Sequence, residues 1–187
     1  IQRILNIKAS WLIHRDGCIQ VKLDVKKDME FPFLPRFGLR LFLDQSLDRV
    51  RYCGMGPDES YPDKHQASWH GIFEGDVRAM HRPYLKPQEY GSHWDCSWCE
   101  LSGEEMSFQA SSKEGFMFQA CEYTQEELSE KAHDVELKEA GCTVLCLDHN
   151  QSGIGSGSCG PQLLEKYQFN EPEFSRTWVI TPGKRKE

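Results

Sequence analysis

Residues 19–25 read IQVKLDV, and this segment decides the fold class. Its apolar side chains recur at every second position, with polar side chains between them. Successive side chains of a β-strand point to opposite faces of the sheet, so a period of two is typical of a half-buried strand. The apolar residues that share one face are Ile19, Val21, Leu23 and Val25. The segment therefore predicts a strand with one face against a core.

The same period of two recurs along the chain. Five further segments show it: residues 37–43, 94–98, 116–118, 144–146 and 174–180. In the last segment Phe174, Trp178 and Ile180 share a face, and Arg176 is the one residue that interrupts its apolar character. Asp16-Gly17 precedes the strand at residues 19–25, and an Asp-Gly pair favours a tight hairpin.

Only one segment is typical of a helix. Thr124 and Glu127 have the Thr-x-x-Glu spacing of a capping box, and residues 128–133 would continue the helix for about two turns. Many strands separated by short turns, with one short helix, predict an all-β antiparallel sandwich.

Length, charge and cysteine content limit the function classes. A chain of 187 residues fits one domain, which we place at residues 1–182 with a tail at 183–187. The net charge of −7 argues against binding to nucleic acid or to an anionic membrane, and there is no apolar run long enough to span a bilayer.

The eight cysteines, without a visible secretory signal, favour free thiols and a cytoplasmic location. The first residue is not Met, and we expect a piece of a longer protein.

The pair Cys96 and Cys99 is the first candidate for metal or redox chemistry. It lies in the strand-like segment WDCSWCEL, where a spacing of three predicts thiols on opposite faces. A redox pair favours a helix N-terminus, and a zinc site needs a second pair of ligands. The pattern therefore favours neither chemistry.

Acidic residues and one histidine are the remaining candidates for catalytic chemistry. Glycoside hydrolysis needs two carboxylates that flank the scissile bond, although carboxylates in turns more often bind nearby backbone N–H groups. The candidates in turn-rich segments are Glu59, Asp63, Glu89, Asp95 and Asp148. Among the seven histidines, His149 is best placed, since it precedes the glycine-rich loop at residues 153–161. That loop suits either a backbone close to a ligand or a plain flexible connection.

Four ordered motifs carry a resemblance to a known family. They are LPRFGL at residues 34–39, GPDESYPD at 56–63, PYLKPQEYG at 83–91 and GIGSGSCGP at 153–161. In this order the set resembles the C-terminal domain of the glycoside hydrolase family 2 β-galactosidases, which also occurs as the small chain of two-subunit forms. The match spans roughly residues 34–170.

The resemblance implies a β-supersandwich similar to galactose mutarotase, with its N-terminal strands missing here. It places the catalytic glutamates and the magnesium and sodium ligands in other domains, chiefly a TIM barrel, so no catalytic residue, metal or cofactor is expected in this chain.

The family's closing loop carries a tryptophan that stacks on the sugar, and Cys159 stands at that position here. A thiol offers no flat platform, so we expect no aromatic stacking at this position. Cys159 and the neighbouring Ser158 are the substrate contacts that we expect from the loop. The other motif residues, Glu59, Tyr61, Asp63, Gln88 and Glu89, are expected to fix loops through buried hydrogen bonds.

These expectations leave two functions open. In the first, the chain completes the sugar-binding active site of a TIM barrel that hydrolyses terminal β-D-galactosides. Its partners are then the remaining β-galactosidase domains or a large subunit, the galactoside substrate, and further subunits of an oligomeric whole enzyme. The alternative is a free-standing, non-catalytic carbohydrate-binding domain. An aldose epimerase, suggested by fold analogy alone, would need a convergent pair of His and Glu.

Overall fold

The computed structural model describes residues 2–155 and 160–184. The strands within these residues are β1 (Leu5–Ile13), β2 (Ile19–Lys27), β3 (Arg36–Leu43), β4 (Arg49–Gly56), β5 (Trp69–Asp76), β6 (Ser92–Ser102), β7 (Met106–Cys121), β8 (Thr143–Gln151) and β9 (Glu173–Lys184). One α-helix, α1 (Gln125–Glu130), and three single-turn 3-10 helices complete the described elements. The all-β antiparallel fold with one short helix is thereby confirmed.

The strands form one sheet that divides into two branches. The main path runs β1-β2-β9-β7-β6-β4-β5, and every pairing is antiparallel. The second branch is the pair β3–β8, which joins the sheet because β8 pairs with β7. Residues 106–111 of β7 pair with β9, whereas residues 117–121 pair with β8. The sheet therefore forks at the middle of β7.

The hydrophobic core lies between the two branches. Val21, Leu23 and Val25 of β2 are all at most 5% exposed, which confirms the face predicted from the alternation at residues 19–25. Trp178 of β9 and Leu147 of β8 are fully buried in the same cluster. Each large apolar side chain buried in this way contributes about 1.5–3 kcal/mol to stability.

Arg176 occupies the fork itself. Its side chain is buried, and its polar atoms bind residues in the middle of β7 and near the end of β8. Nη1 donates to the carbonyl of Gly115 at 2.6 Å, and Nε donates to Nδ1 of His149 at 2.9 Å. His149 also stacks on Phe174, with ring centroids 4.4 Å apart. His149, the histidine favoured by the sequence, therefore supports Arg176 where β7 passes from β9 to β8.

The predicted hairpin between β1 and β2 is present. Gly17 has a φ of +86°, a conformation that glycine adopts without strain. The Asp16 carboxylate accepts a hydrogen bond from the backbone N–H of Cys18 at 3.0 Å. These features confirm the turn expected from Asp16-Gly17.

Helix α1 begins where its capping signal predicts and ends earlier than expected. The Thr124 hydroxyl accepts a hydrogen bond from the backbone N–H of Glu127 at 3.1 Å. The Glu127 carboxylate, however, accepts the backbone N–H of Lys138 at 2.9 Å. The helix ends at Glu130, three residues before the predicted end at His133.

Strand β6 corrects the prediction for Cys96 and Cys99. Both thiols lie in the core and are at most 1% exposed, so the expectation of opposite faces is wrong. The pairing of β6 with β7 shifts register twice, between His93 and Cys96 and between Cys96 and Trp98, and such bulges re-aim side chains. Burial raises the pKa of both thiols, which keeps them protonated and unreactive.

The last strand continues past the domain limit that the sequence suggests. Gly183 and Lys184 pair with Ser107 and Met106 of β7, at the end of the region that the structure describes. Of the helices in residues 2–155 and 160–184, none has the length and apolar character needed to cross a bilayer.

Candidate functional site at the start of the glycine-rich loop

Ser152 fixes the chain just after β8, where the glycine-rich loop begins. Its hydroxyl donates to the carbonyl of Leu34 at 2.7 Å and accepts the backbone N–H of Phe169 at 2.9 Å. Its own N–H donates to the carbonyl of Pro35 at 2.9 Å. One small side chain thus joins the segments on both sides of the loop to the first motif.

Asp63 holds the next two residues of the loop, and we call this contact the Asp63 anchor. Its Oδ1 accepts the backbone N–H of Ile154 at 3.1 Å, and its Oδ2 accepts that of Gly155 at 2.9 Å. Gly153 passes so close that a Cβ there would lie 2.5 Å from the Asp63 carboxylate carbon. Residue 153 must therefore be a glycine for the Asp63 carboxylate to occupy this position.

The two residues predicted to contact substrate, Ser158 and Cys159, lie outside the described residues. The description ends at Gly155 and resumes at Gly160. The sequence prediction for these two residues stays a prediction. The structure describes the residues that hold the start of the loop, Ser152 and Asp63 with their partners, and these form the frame from which the loop continues.

A buried ion cluster centred on Arg36 lies beneath this frame, and we call Arg36, Glu89 and Asp148 the Arg36 cluster. Arg36 contacts Asp148 in a bidentate manner, through Nη2–Oδ2 at 2.5 Å and Nε–Oδ1 at 3.3 Å. Its Nη1 donates to Oε2 of Glu89 at 2.7 Å. Because Arg36 begins β3, Asp148 lies in β8 and Glu89 belongs to the third motif, one guanidinium joins three distant segments.

Burial and the neighbouring charges act in opposite directions in this cluster. Desolvation raises the pKa of both Glu89 and Asp148, and the attraction of Arg36 opposes that rise. Desolvation would also lower the pKa of Arg36, but its two carboxylate neighbours raise it above its ordinary value. Arg36 therefore stays charged.

A second cluster connects the second and third motifs through Glu59. Its carboxylate accepts the backbone N–H of Gly91 at 2.7 Å and the ammonium of Lys64 at 2.5 Å. The Tyr84 hydroxyl also donates to it. Although burial of Glu59 favours the neutral acid, these hydrogen bonds hold its pKa below the ordinary value.

The role predicted for the motif residues is confirmed for four of the five. Glu59, Asp63 and Glu89 accept the hydrogen bonds described above, and the fully buried Tyr61 donates from its hydroxyl to Oε1 of Glu89 at 3.3 Å. Gln88 differs, since it is exposed and lines a cleft instead of fixing a loop. The sequence pattern did not distinguish this residue from its buried neighbours.

The cleft has a volume of about 350 Å³ and lies beside the Asp63 anchor. Three parts of the chain line it: Phe33 and Pro35, then Tyr84, Gln88 and Glu89, and residues 151–154. We call it the Tyr84 cleft. The motifs at residues 34–39, 83–91 and 153–161 all border it, which places the most distinctive parts of the sequence around one cavity.

The fold and the site together define an all-β domain whose signature residues hold loops in place around a small cleft. The profile of the family described as "Beta galactosidase small chain" matches residues 1–180. The chain belongs to this family.

Curated relatives agree with that assignment. The chain is 44% identical over 172 residues to a beta-galactosidase of Actinobacillus pleuropneumoniae and 38% identical over 169 residues to one of Staphylococcus xylosus. The aligned segments cover 92% and 89% of this chain, and 17% of each relative. A beta-galactosidase of Kluyveromyces lactis is 33% identical over 149 residues, which cover 77% of this chain and 14% of the relative. The chain thus spans only a small part of these relatives, and it corresponds to one domain of a β-galactosidase.

Proposed function

We propose that this chain completes the sugar-binding active site of a β-galactosidase whose TIM barrel hydrolyses terminal β-D-galactosides. The observation that carries the proposal is the Asp63 anchor. Two backbone N–H groups on one carboxylate, with Ser152 bonded on both sides, hold the start of the loop in one orientation. A loop held in this way is suited to forming one wall of a site on a neighbouring domain.

The loop's contribution to that site is binding. Ser158 and Cys159 are the proposed contacts to the galactoside, by the resemblance of the loop to the family's closing loop. The thiol of Cys159 offers less surface to a sugar than the family's tryptophan, because an indole ring is large and flat. We therefore expect a weaker sugar contact from this loop than from loops that carry the aromatic ring.

The catalytic acid and nucleophile are proposed to lie on the barrel, so the fragment alone should not hydrolyse galactosides. In residues 2–155 and 160–184, no group of three or more His, Cys, Asp or Glu side chains is arranged to hold a metal ion. The resemblance assigns the expected magnesium and sodium ions to the barrel, and we propose no metal role for this chain.

The remaining assignments concern the cellular setting. The seven described cysteines are free thiols, which supports a cytoplasmic enzyme. The proposed partners are the other β-galactosidase domains, on the same chain or on a large subunit, in an oligomeric enzyme.

The test is hydrolysis of a chromogenic β-galactoside by this chain, by a barrel-containing β-galactosidase that lacks this domain, and by their mixture. We expect hydrolysis in the mixture alone. Hydrolysis by the chain alone would contradict the absence of a catalytic pair. No hydrolysis in the mixture, with galactose binding by the chain alone, would favour the free-standing carbohydrate-binding domain.

A further inference from the structure

The Tyr84 cleft has the dimensions of a site for one small molecule. Its volume of about 350 Å³ lies near the lower end of the range of about 300–1,000 Å³ found for small-molecule sites. A single sugar ring fits this space, and a chain of several rings does not.

The walls of the cleft are held in place before any ligand arrives. The Tyr84 hydroxyl donates to Glu59 and accepts from Lys64 at 3.2 Å, which fixes the ring. Opposite, the hydrogen bonds of Ser152 to Leu34 and Pro35 fix the backbone that borders the cleft. A preorganised site loses less conformational entropy on binding.

The chemistry of the lining is mixed, and its one charged side chain, Glu89, is already hydrogen-bonded. Phe33, Pro35 and the Tyr84 ring supply apolar surface, of the kind that packs against the C–H face of a sugar. The Glu89 carboxylate is already paired with Arg36 and accepts the Ser92 hydroxyl at 2.6 Å. This carboxylate repels an anionic ligand, and its oxygens can accept a further hydrogen bond from a ligand hydroxyl.

One buried polar atom in the lining has no partner among the described residues. Gln151 is 5% exposed, its side-chain amide interacts with Glu89, and its Oε1 has no hydrogen bond. A buried acceptor without a partner is unfavourable, so a ligand hydroxyl that reaches it would gain a hydrogen bond and remove that cost. Gln88, exposed at the rim, offers a second carboxamide.

We propose that the Tyr84 cleft is a binding site for one neutral hexose, separate from the galactose position on the barrel. The combination of a fixed aromatic ring, two carboxamides and a carboxylate acceptor suits a ligand that has many hydroxyl groups and no negative charge. Residues 152–154 belong both to the cleft and to the anchored start of the loop, so the hexose would bind directly beside that loop.

The test uses the complete β-galactosidase that contains this chain. The galactose position is first blocked with a 2-deoxy-2-fluoro-β-galactoside, which leaves a covalent galactosyl group on the nucleophile of a retaining enzyme. D-glucose is then titrated and followed by saturation-transfer NMR. We expect saturable binding with a Kd in the millimolar range, in the blocked and in the unblocked enzyme.

Two surface variants decide whether the signal comes from this cleft. Gln88→Trp fills the rim with a large side chain, and we expect it to weaken glucose binding by about tenfold or more. Lys86→Trp is the matched control, because Lys86 is exposed on the same loop and does not line the cleft. Gln151→Leu, which removes the buried acceptor, should weaken binding as well.

The proposal is overturned if the blocked enzyme gives no saturable glucose signal, or if Gln88→Trp binds glucose as the control does. Its failure is distinguishable from failure of the proposed function. Loss of complementation would leave glucose binding to the cleft in place, whereas loss of glucose binding would leave complementation in place.

Discussion

Replacing Asp63 by alanine removes both acceptors that hold the start of the glycine-rich loop. Ile154 and Gly155 then have no carboxylate for their backbone N–H groups. Because Asp63 lies in the second motif and makes these two contacts across the fold, the change affects the loop before it affects the core. We expect the domain to stay folded and the loop to leave its held orientation.

The size of the effect follows from the two hydrogen bonds. A hydrogen bond to a charged group contributes about 1.5–3 kcal/mol. Gly155 is exposed, so the lower end of that range applies, and two bonds give about 3 kcal/mol. Each 1.4 kcal/mol is about a factor of ten in an equilibrium, so the equilibrium between the held and the released loop shifts by roughly a hundredfold towards the released loop. Asp63→Asn keeps one acceptor and should lose about half of this free energy.

The assay is kcat/KM for a chromogenic β-galactoside in the complete enzyme. We expect a fall of about tenfold for Asp63→Ala, because the shift of roughly a hundredfold in the loop equilibrium lowers the population of the held orientation. Asp44→Ala is the matched control. Its carboxylate also accepts a turn N–H, that of Ser46 at 2.9 Å, but it follows the far end of β3.

The reasoning is refuted if folded Asp63→Ala keeps the kcat/KM of the unaltered enzyme. It is also refuted if Asp44→Ala loses as much, because the effect would then come from general loosening of the domain.

Three further predictions concern stability. Arg36→Met leaves the buried Asp148 and the half-buried Glu89 without their cation, and urea unfolding should show a loss of about 3 kcal/mol, the lower end of the range for a broken buried pair. Burial lowers the pKa of His93 from 6.5 to about 4, so between these pH values the unfolded chain binds a proton that the folded chain does not. The free energy of unfolding should therefore fall by about 3 kcal/mol as the pH falls from 6.5 to 4. His93→Gln should remove this part of the pH dependence. Thr124→Ala removes the cap of α1 and should cost about 1 kcal/mol by thermal unfolding.

Controls separate these effects from general damage. Arg40 lies on the same strand as Arg36 and forms an exposed ion pair with Glu126 of α1. Arg40→Met breaks this pair and should lower the free energy of unfolding by less than about 1 kcal/mol. His70→Gln, at an exposed position in β5, should leave the pH dependence unchanged. Equal losses in Arg36→Met and Arg40→Met, or an unchanged pH slope in His93→Gln, would contradict the account.

The sequence predicted the regular parts of the fold and missed its irregular ones. Alternation at residues 19–25 and the Asp16-Gly17 turn both depend on local geometry, so they could be predicted without knowledge of distant contacts. The burial of both Cys96 and Cys99 could not, because it depends on two register shifts against β7 that leave no local signal. The role of Arg176 at the fork depends likewise on which strands meet there.

The same division applies to the candidate site. The motifs identified Asp63 and Glu89 as residues that fix loops, and this follows from the family resemblance rather than from their chemical type. Neither the partner of Asp63 nor the cavity beside Gln151 could be predicted, because both arise where segments about 90 residues apart in sequence meet. An exposed Gln88 and a half-buried Glu89 stand next to each other in one motif, and only the three-dimensional arrangement distinguishes them.

The most direct measurement is labelling of Cys159 in the complete enzyme with a thiol-reactive galactoside, N-bromoacetyl-β-D-galactosylamine, followed by mass spectrometry. If the loop lies against the galactoside, Cys159 is alkylated, excess galactose slows the reaction, and Asp63→Ala weakens that protection. Cys18, on the β1–β2 hairpin, serves as the internal reference and should show no protection by galactose. Alkylation of Cys159 at the same rate with and without galactose would contradict the claim that this domain completes the sugar site.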